Sequence, residues 1–263
     1  MVKGEYRKFY HAILRELPKE NIIIDPLRKT AIGADASFYK LIPQIIVDVQ
    51  SEKQVGIVLR EARKRKLPMT FRAAGTSLSG QSISNSILIR MGQGWDGFHI
   101  YDKARFIQLQ PGIIGGSANR HLAAFGRKIG PDPASIDTAK IGGILANNSS
   151  GMCCGVEQNS YQTIESMRLV LVDGTVVDTS DDKSIANFRK TRADLLKGLA
   201  ELRRQVMADT VLADRIKYKF KIKNTMGYSL NALVDYEDPL DIMIHLMVGS
   251  EGTLAFISNS VLR

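Results

Sequence analysis

The residues best suited to chemistry in this sequence form one uninterrupted run, Arg72-Ala-Ala-Gly-Thr-Ser-Leu-Ser-Gly-Gln81. Small side chains such as Ala74 dominate it, Leu78 is its only bulky apolar residue, and two glycines stand five apart at Gly75 and Gly80. Glycine tolerates positive φ and close backbone approach, so such a run can turn tightly and aim its N–H groups at a single anion. The hydroxyls of Thr76, Ser77 and Ser79 add donors, Gln81 closes the run, and Arg72 adds a positive charge. A solvated loop between two strands accounts for the same composition, and these ten residues alone leave both readings open.

Two further clusters share this character. Gly130-Pro-Asp-Pro-Ala-Ser135 is a rigid turn carrying Asp132 and Ser135 between and beyond Pro131 and Pro133. Ile141-Gly-Gly-Ile-Leu-Ala-Asn-Asn-Ser-Ser-Gly151 starts like a helix with Gly142 and Gly143 at its amino end, a second possible phosphate seat. It finishes in Asn147, Asn148, Ser150 and Gly151, and the two amides can both donate to and accept from the edge of a heterocycle. Each cluster alone is an ordinary turn or cap. Together they suit an extended ligand with a phosphate centre and polar ring edges, as a dinucleotide has.

The elements that must position these clusters follow from periodicity and punctuation. A helix from about Glu5 to Leu17 and a strand at 22–24 form an amino-terminal arm. Ile45–Val49 reads as a strand, Ser51 as the N-cap of a helix running to about Lys66, Met69–Phe71 as the strand entering the loop, and Ile87–Ile89 as its return. A second lobe starts near Phe98, so the division is drawn as residues 1–100 and 101–263. In it Phe106–Gln110 alternates like a strand and a helix runs from about Gly116 to Phe125. Met167–Val172 and Thr175–Thr179 flank Asp173-Gly174, the signal for a type I′ hairpin. Helices at about 193–207 and 238–247 and a strand at 254–257 close an α+β fold of two lobes, without any fixed-period repeat.

Composition bounds the alternatives. With 263 residues the chain can bury a full core, and no apolar run approaches the length of a membrane span. The first residues lack the apolar stretch of a secretion signal, and the only cysteines, Cys153 and Cys154, are adjacent, so no disulfide framework exists. Cytoplasmic residence is expected, with at most peripheral contact with the inner face of a membrane. The net charge of +9 suits an anionic ligand. Ile216-Lys-Tyr-Lys-Phe-Lys-Ile-Lys223 alternates like a strand whose lysines guard an edge or line single-stranded nucleic acid, but no nucleic-acid motif accompanies it and no such partner is expected. Gly92-Gln-Gly-Trp-Asp-Gly97 matches a dinucleotide fingerprint in letters, yet a strand-like run follows it where a helix is required, so it reads as a turn around Trp95. No phosphate-binding P-loop motif is present.

In order, Arg72–Gln81, Gly130–Ser135, Ile141–Gly151, Met226-Gly-Tyr-Ser-Leu230 and Val248-Gly-Ser-Glu-Gly-Thr-Leu254 resemble the motifs of FAD-linked oxidases of the vanillyl-alcohol oxidase (PCMH) type. Asp35-Ala-Ser-Phe-Tyr39, Gly151–Gly155 and Lys223–Gly227 look most like the amino-terminal part of bacterial FAD and iron–sulfur D-2-hydroxyacid dehydrogenases. The resemblance implies a bilobal PCMH-type FAD-binding domain with the cofactor between the lobes. It implies that Ala74–Gln81 holds the pyrophosphate, that Pro131–Ser135 and Ile141–Gly151 line the ribityl chain and isoalloxazine, and that Glu251, Gly252 and Ile257 lie toward the adenosine. Relatives that attach FAD covalently carry a His near the position of Thr76, so non-covalent FAD is implied.

In that family C2 of a 2-hydroxyacid such as D-lactate or D-2-hydroxyglutarate delivers a hydride to flavin N5 while a base takes the hydroxyl proton. None of His11, His99, His121 and His245 is assigned as that base, and no catalytic residue or metal ligand is assigned. The two cysteines cannot hold an iron–sulfur cluster and read as small residues packed beside the flavin. The resemblance places substrate and metal ligands in a cap following the last motif. The expectation is therefore a cofactor module whose cap and iron–sulfur half lies elsewhere, in cis or in trans, with little turnover alone. Another flavoenzyme on the same scaffold (an enolpyruvyl-sugar reductase or an alcohol oxidase) and a basic binding module without cofactor are the alternatives.

Overall fold

The computed structural model describes residues 2–225 and 227–263; Met1 and Met226 lie outside the described residues, and with Met226 the first position of one quoted motif. Helix α1 (Gly4–Ile13) buries Phe9 and Ile13, and strand β1 (Ile22–Ile23) follows. Asp25 then caps α2 (Pro26–Ile32) by accepting from the Arg28 N–H at 2.8 Å, with proline in the first turn where its missing N–H costs nothing. Strand β2 (Ile45–Val49) ends one residue pair before α3 (Glu52–Lys64), whose amino end is capped by Ser51. Strands β3 (Met69–Arg72) and β4 (Ile87–Met91) flank the small-residue loop. The first sheet has the order β1-β2-β4-β3, with β2, β4 and β3 parallel and β1 an antiparallel edge. Its Ile45, Val47, Ile87 and Ile89 are fully buried in one core with Val55, Val58 and Ala62 of α3.

The chain changes sheets between Met91 and Phe98. Strands β5 (Phe98–Tyr101) and β6 (Phe106–Leu109) precede helices α4 (Gly115–Ala123), α5 (Ile141–Asn147) and α6 (Ser160–Thr163). The hairpin β7 (Ile164–Leu171) and β8 (Val176–Asp178) leads into α7 (Asp182–Thr191), α8 (Ala193–Ala208), α9 (Thr210–Lys219), α10 (Ala232–Asp235) and α11 (Pro239–Met247). Strand β9 (Ala255–Leu262) then inserts into the middle of an all-antiparallel sheet, β5-β6-β9-β7-β8. The two cores meet at Phe256 of β9, whose ring lies 5.1 Å from Phe71 and 5.3 Å from Trp95.

Several local expectations fail for identifiable reasons. The alternating lysine run at 216–223 is not a strand: Asp209 caps α9 by accepting the Leu212 N–H, and the helix continues through Lys219, so the lysines guard no sheet edge. The Asp173-Gly174 hairpin is not type I′, which needs positive φ at both central residues. Here Gly174 is at φ +86 while Asp173 is not in the left-handed region; the Gly174 N–H bonds Leu171 O, and Leu171 pairs with Thr175. That is a type I turn followed by a glycine bulge. Cys154 is buried as expected, but Cys153 is exposed. The turn around Trp95 forms as read, with the buried indole donating to Val49 O at 2.9 Å.

One ion cluster fastens the two sheets. Arg168 of β7 grips Glu52 of α3 with two bonds of 2.6 and 3.0 Å and reaches Asp178 at 3.3 Å, while the Ser258 hydroxyl of β9 also donates to Glu52. Burial opposes the Glu52 charge, but the hydrogen bonds from Arg168 and Ser258 outweigh it and hold the carboxyl below its ordinary 4.5. A carboxyl lowered on folding contributes stability above its unfolded pKa and loses it as pH falls through the folded value. Glu52→Gln is expected to cost about 1–3 kcal/mol near neutral pH. In urea titrations the gap to wild type should close below pH 4.5, as Glu52 itself becomes protonated.

Candidate functional site

The loop after β3 takes its shape from Arg72, Gly75 and the arm. Arg72 donates to Ile32 O and Ala34 O, both at 2.6 Å, and the Ala36 N–H donates to Gly75 O at 3.1 Å. Gly75 sits at φ +78, and a side chain there would begin within 2.5–2.9 Å of the Arg72 guanidinium. The expected positive charge is therefore at the loop, but its hydrogen bonds serve the arm. Asp35 strengthens the latch by accepting from the Ser82 hydroxyl at 2.9 Å and from the Ser37 N–H. Burial works to raise Asp35, yet these bonds leave its carboxyl below the ordinary value. Tyr39 packs over Gly80, 3.1 Å from where its Cβ would stand. The motif at 35–39 thus wraps the loop, a role its sequence alone does not show.

Inside the loop the Ser77 hydroxyl accepts from the N–H groups of Ser79 and Gln81 and donates to the Gln81 side chain. The N–H groups of Ala74, Gly75, Thr76, Ser77, Leu78 and Gly80 make no hydrogen bond to another described residue. Ser77 is accordingly an internal brace, and the hydroxyls of Thr76 and Ser79 make no hydrogen bond to another described residue. The Leu78 side chain is 77% exposed and packs into no core.

The other clusters close in around this loop. A Cβ on Gly143 of α5 would lie 3.3 Å from Ala73, and one on Gly252 3.7 Å from Phe71. Gly151 lies so tightly on the 130–135 turn that an added Cβ would stand 2.0 Å from Asp132 O. Asp132 accepts from the N–H groups of Gly151 and Cys154 at 2.9 and 3.2 Å, so its carboxylate ties the two clusters together. Pro131 and Pro133 are buried and Ser135 half-buried beside it. Gly142 rests on Pro111, and Ile141 is fully buried in the second core.

Three expected ligand contacts are engaged within the protein. Asn147 donates to Glu251 at 2.6 Å and accepts from the Ser149 hydroxyl at 2.8 Å. Asn148, in the left-handed conformation that ends α5, is buried and accepts from the Tyr161 N–H. Glu251 is also left-handed, at φ +53, and its N–H donates to Ala146 O at 2.7 Å. Burial raises its carboxyl, partly offset by Asn147. The Asn147–Glu251 bond puts two residues assigned to different parts of the cofactor side by side. Ile257 is 7% exposed and points into the second core, and Ser150 offers its carbonyl to Lys223. Of the histidines, His11, His99 and His121 are exposed and His245 is buried, stacked on Tyr236.

Lys140 is absent from the sequence-derived set. It stands immediately before α5, half-buried, and burial together with nearby Arg90 lowers its pKa. The only signal for it was a cation at the amino end of a helix, where the dipole disfavours one.

A family model described as an FAD binding domain matches residues 43–180, just over half of the chain. The chain belongs to the FAD-binding domain family. Over 239 residues this FAD-binding domain is 26% identical to the D-2-hydroxyglutarate dehydrogenase of Pantoea ananatis, covering 88% of the chain and 23% of that protein. It is 27% identical to the mitochondrial D-lactate dehydrogenase (cytochrome) of Arabidopsis thaliana over 73% of the chain and 35% of that protein. The chain spans about a quarter of the length of the D-2-hydroxyglutarate dehydrogenases it matches. A solved alkyldihydroxyacetonephosphate synthase shares the fold with a TM-score of 0.64 at 19% identity, over 98% of this chain and 40% of that one. The α+β architecture of two sheets is therefore the PCMH-type FAD-binding fold, and FAD is its cofactor.

The residues present fit that cofactor. Six N–H groups of one tight loop stand without a partner among the described residues, Gly151 leaves no room for a side chain, and Gly143 is tightly packed against the root of the loop. Gly75→Val would add a branched side chain at φ +78, a strain of about 1–3 kcal/mol, and displace Arg72 from the arm. We expect weaker FAD binding and a lower melting temperature; unchanged flavin retention in this variant would contradict a phosphate-holding role for the loop.

Proposed function

We propose that this domain holds FAD for an oxidoreductase that oxidises a D-2-hydroxyacid, D-lactate or D-2-hydroxyglutarate. The observation that carries the reading is the set of unengaged N–H groups on the 74–80 loop, braced from below by Arg72 and Ser77 and flanked by Gly143. Converging backbone donors suit a pyrophosphate, whose charge they meet without side-chain entropy cost. The substrate class is supported by the D-2-hydroxyglutarate and D-lactate dehydrogenases among the relatives. Bound FAD supplies the two-electron acceptor.

Within this reading the chain's own residues bind and orient. The Asp132 carboxylate fixes the 130–135 turn against Gly151, and the Asn147–Glu251 bond fixes α5 against the 249–253 turn, so the walls of the cleft hold their spacing. Groups that select the substrate and move its hydroxyl proton are proposed to lie in a further cap and iron–sulfur module, in cis or in trans, consistent with relatives about four times as long as the matched segment. FAD is proposed to be held non-covalently, since Thr76 offers no histidine for attachment.

The purified chain mixed with FAD should quench flavin fluorescence to a one-to-one endpoint and release the flavin on denaturation in acid. With D-2-hydroxyglutarate or D-lactate and a dye acceptor, turnover should be low for the chain alone. Saturable FAD binding that no 2-hydroxyacid dehydrogenase activity accompanies, in a complex with the complete enzyme, would refute the substrate assignment and leave the flavin assignment standing.

A further inference from the structure

Three cations gather where β3 and β4 end and α5 begins: Arg72, Arg90 and Lys140. Arg72 and Arg90 are register partners on adjacent parallel strands. Arg72 is engaged by the carbonyls of Ile32 and Ala34. Arg90 holds Asp48 through two bonds of 2.7 and 2.6 Å. The acids facing the group are Asp35, bonded by Ser37 and Ser82, and Asp48. The Lys140 carbonyl accepts the first helical N–H groups of α5, but its side-chain ammonium makes no hydrogen bond or ion pair to another described residue, although the residue is half-buried. Its ammonium is near enough to Arg90 to be driven downward by that charge as well as by burial.

A desolvated cation beside a second cation is costly unless an anion completes the group. Helix α5 also presses Gly143 onto Ala73, at the root of the loop with the unengaged N–H groups. We infer that Lys140 is the counter-cation of the FAD pyrophosphate, giving a charge-assisted bond to a phosphate that the 74–80 loop cradles through its backbone. This rests on the flavin reading above. It also divides the labour of the three cations: Arg72 and Arg90 shape the loop and its strands, and Lys140 meets the ligand. A lysine can do so as a point charge without the forked geometry an arginine imposes.

The test compares wild type with Lys140→Met, Lys140→Gln and Lys140→Arg. FAD dissociation constants are measured by fluorescence quenching at low and high salt, and melting temperatures are measured without flavin. We expect Met and Gln to weaken FAD binding about tenfold or more and to flatten its salt dependence, with Arg restoring most of the loss. The flavin-free melting temperature of Lys140→Met should equal or exceed wild type, because the substitution removes an uncompensated charge. FAD affinity within twofold of wild type in Lys140→Met would overturn the inference. So would equal losses in all three variants accompanied by a lower flavin-free melting temperature, which would mark a packing role. A wild type that takes up no FAD defeats the flavin reading and this inference together, whereas tight wild-type binding with an indifferent Lys140 defeats the inference alone.

Discussion

The candidate site depends on a close approach, that of α5 to the root of the β3 loop at Gly143 and Ala73. Gly143 lies on α5 and Ala73 in the loop that follows β3, and a Cβ added at Gly143 would already stand 3.3 Å from that of Ala73, so the packing there is tight. Once the helix is seated, its far end is fixed as well. The left-handed Asn148 ends it, and Asn147 reaches Glu251. Small residues thus let α5 and the loop pack closely at the candidate site.

Around that contact, charge is used mainly as fastening. Arg72 ties the loop to the arm, Asp132 ties the 130–135 turn to Gly151 and Cys154, and Arg168 ties α3 to β7 through Glu52. Each is partly buried and multiply bonded, so each contributes to position more than to net stability. The net charge of +9 is therefore a poor guide to ligand contacts. Among the three cations near the loop, what distinguishes Lys140 is the lack of any internal acceptor among the described residues.

Local chemistry carried much of the fold. The Ser51 cap, the buried strand Ile45–Val49 and the helix at Ala193–Ala208 stand where pattern and capping put them, because those signals are confined to a few neighbouring residues. The lysine run at 216–223 misled because alternation over eight residues competes with a helix cap seven residues upstream, and Asp209 prevailed. The Asp-Gly hairpin misled because the dipeptide permits type I with a bulge as well as type I′, and strand twist decides between them.

The sequence by itself determined the chemistry on offer: a loop of small residues rich in N–H donors, rigid proline turns, and motifs in the order of an FAD-binding domain. It could do so because composition and order are local properties. Which of those residues already have protein partners was decided only by the tertiary structure. Asn147, Asn148, Asp132 and Ser77 all look like ligand contacts in sequence and all hydrogen-bond to protein partners from elsewhere in the chain or loop. The Lys140 ammonium, inconspicuous in sequence, is left without one among the described residues. A hydrogen bond is satisfied in three dimensions, and no spacing along the chain reveals whether a partner a hundred residues away, as Glu251 is from Asn147, has already claimed the donor.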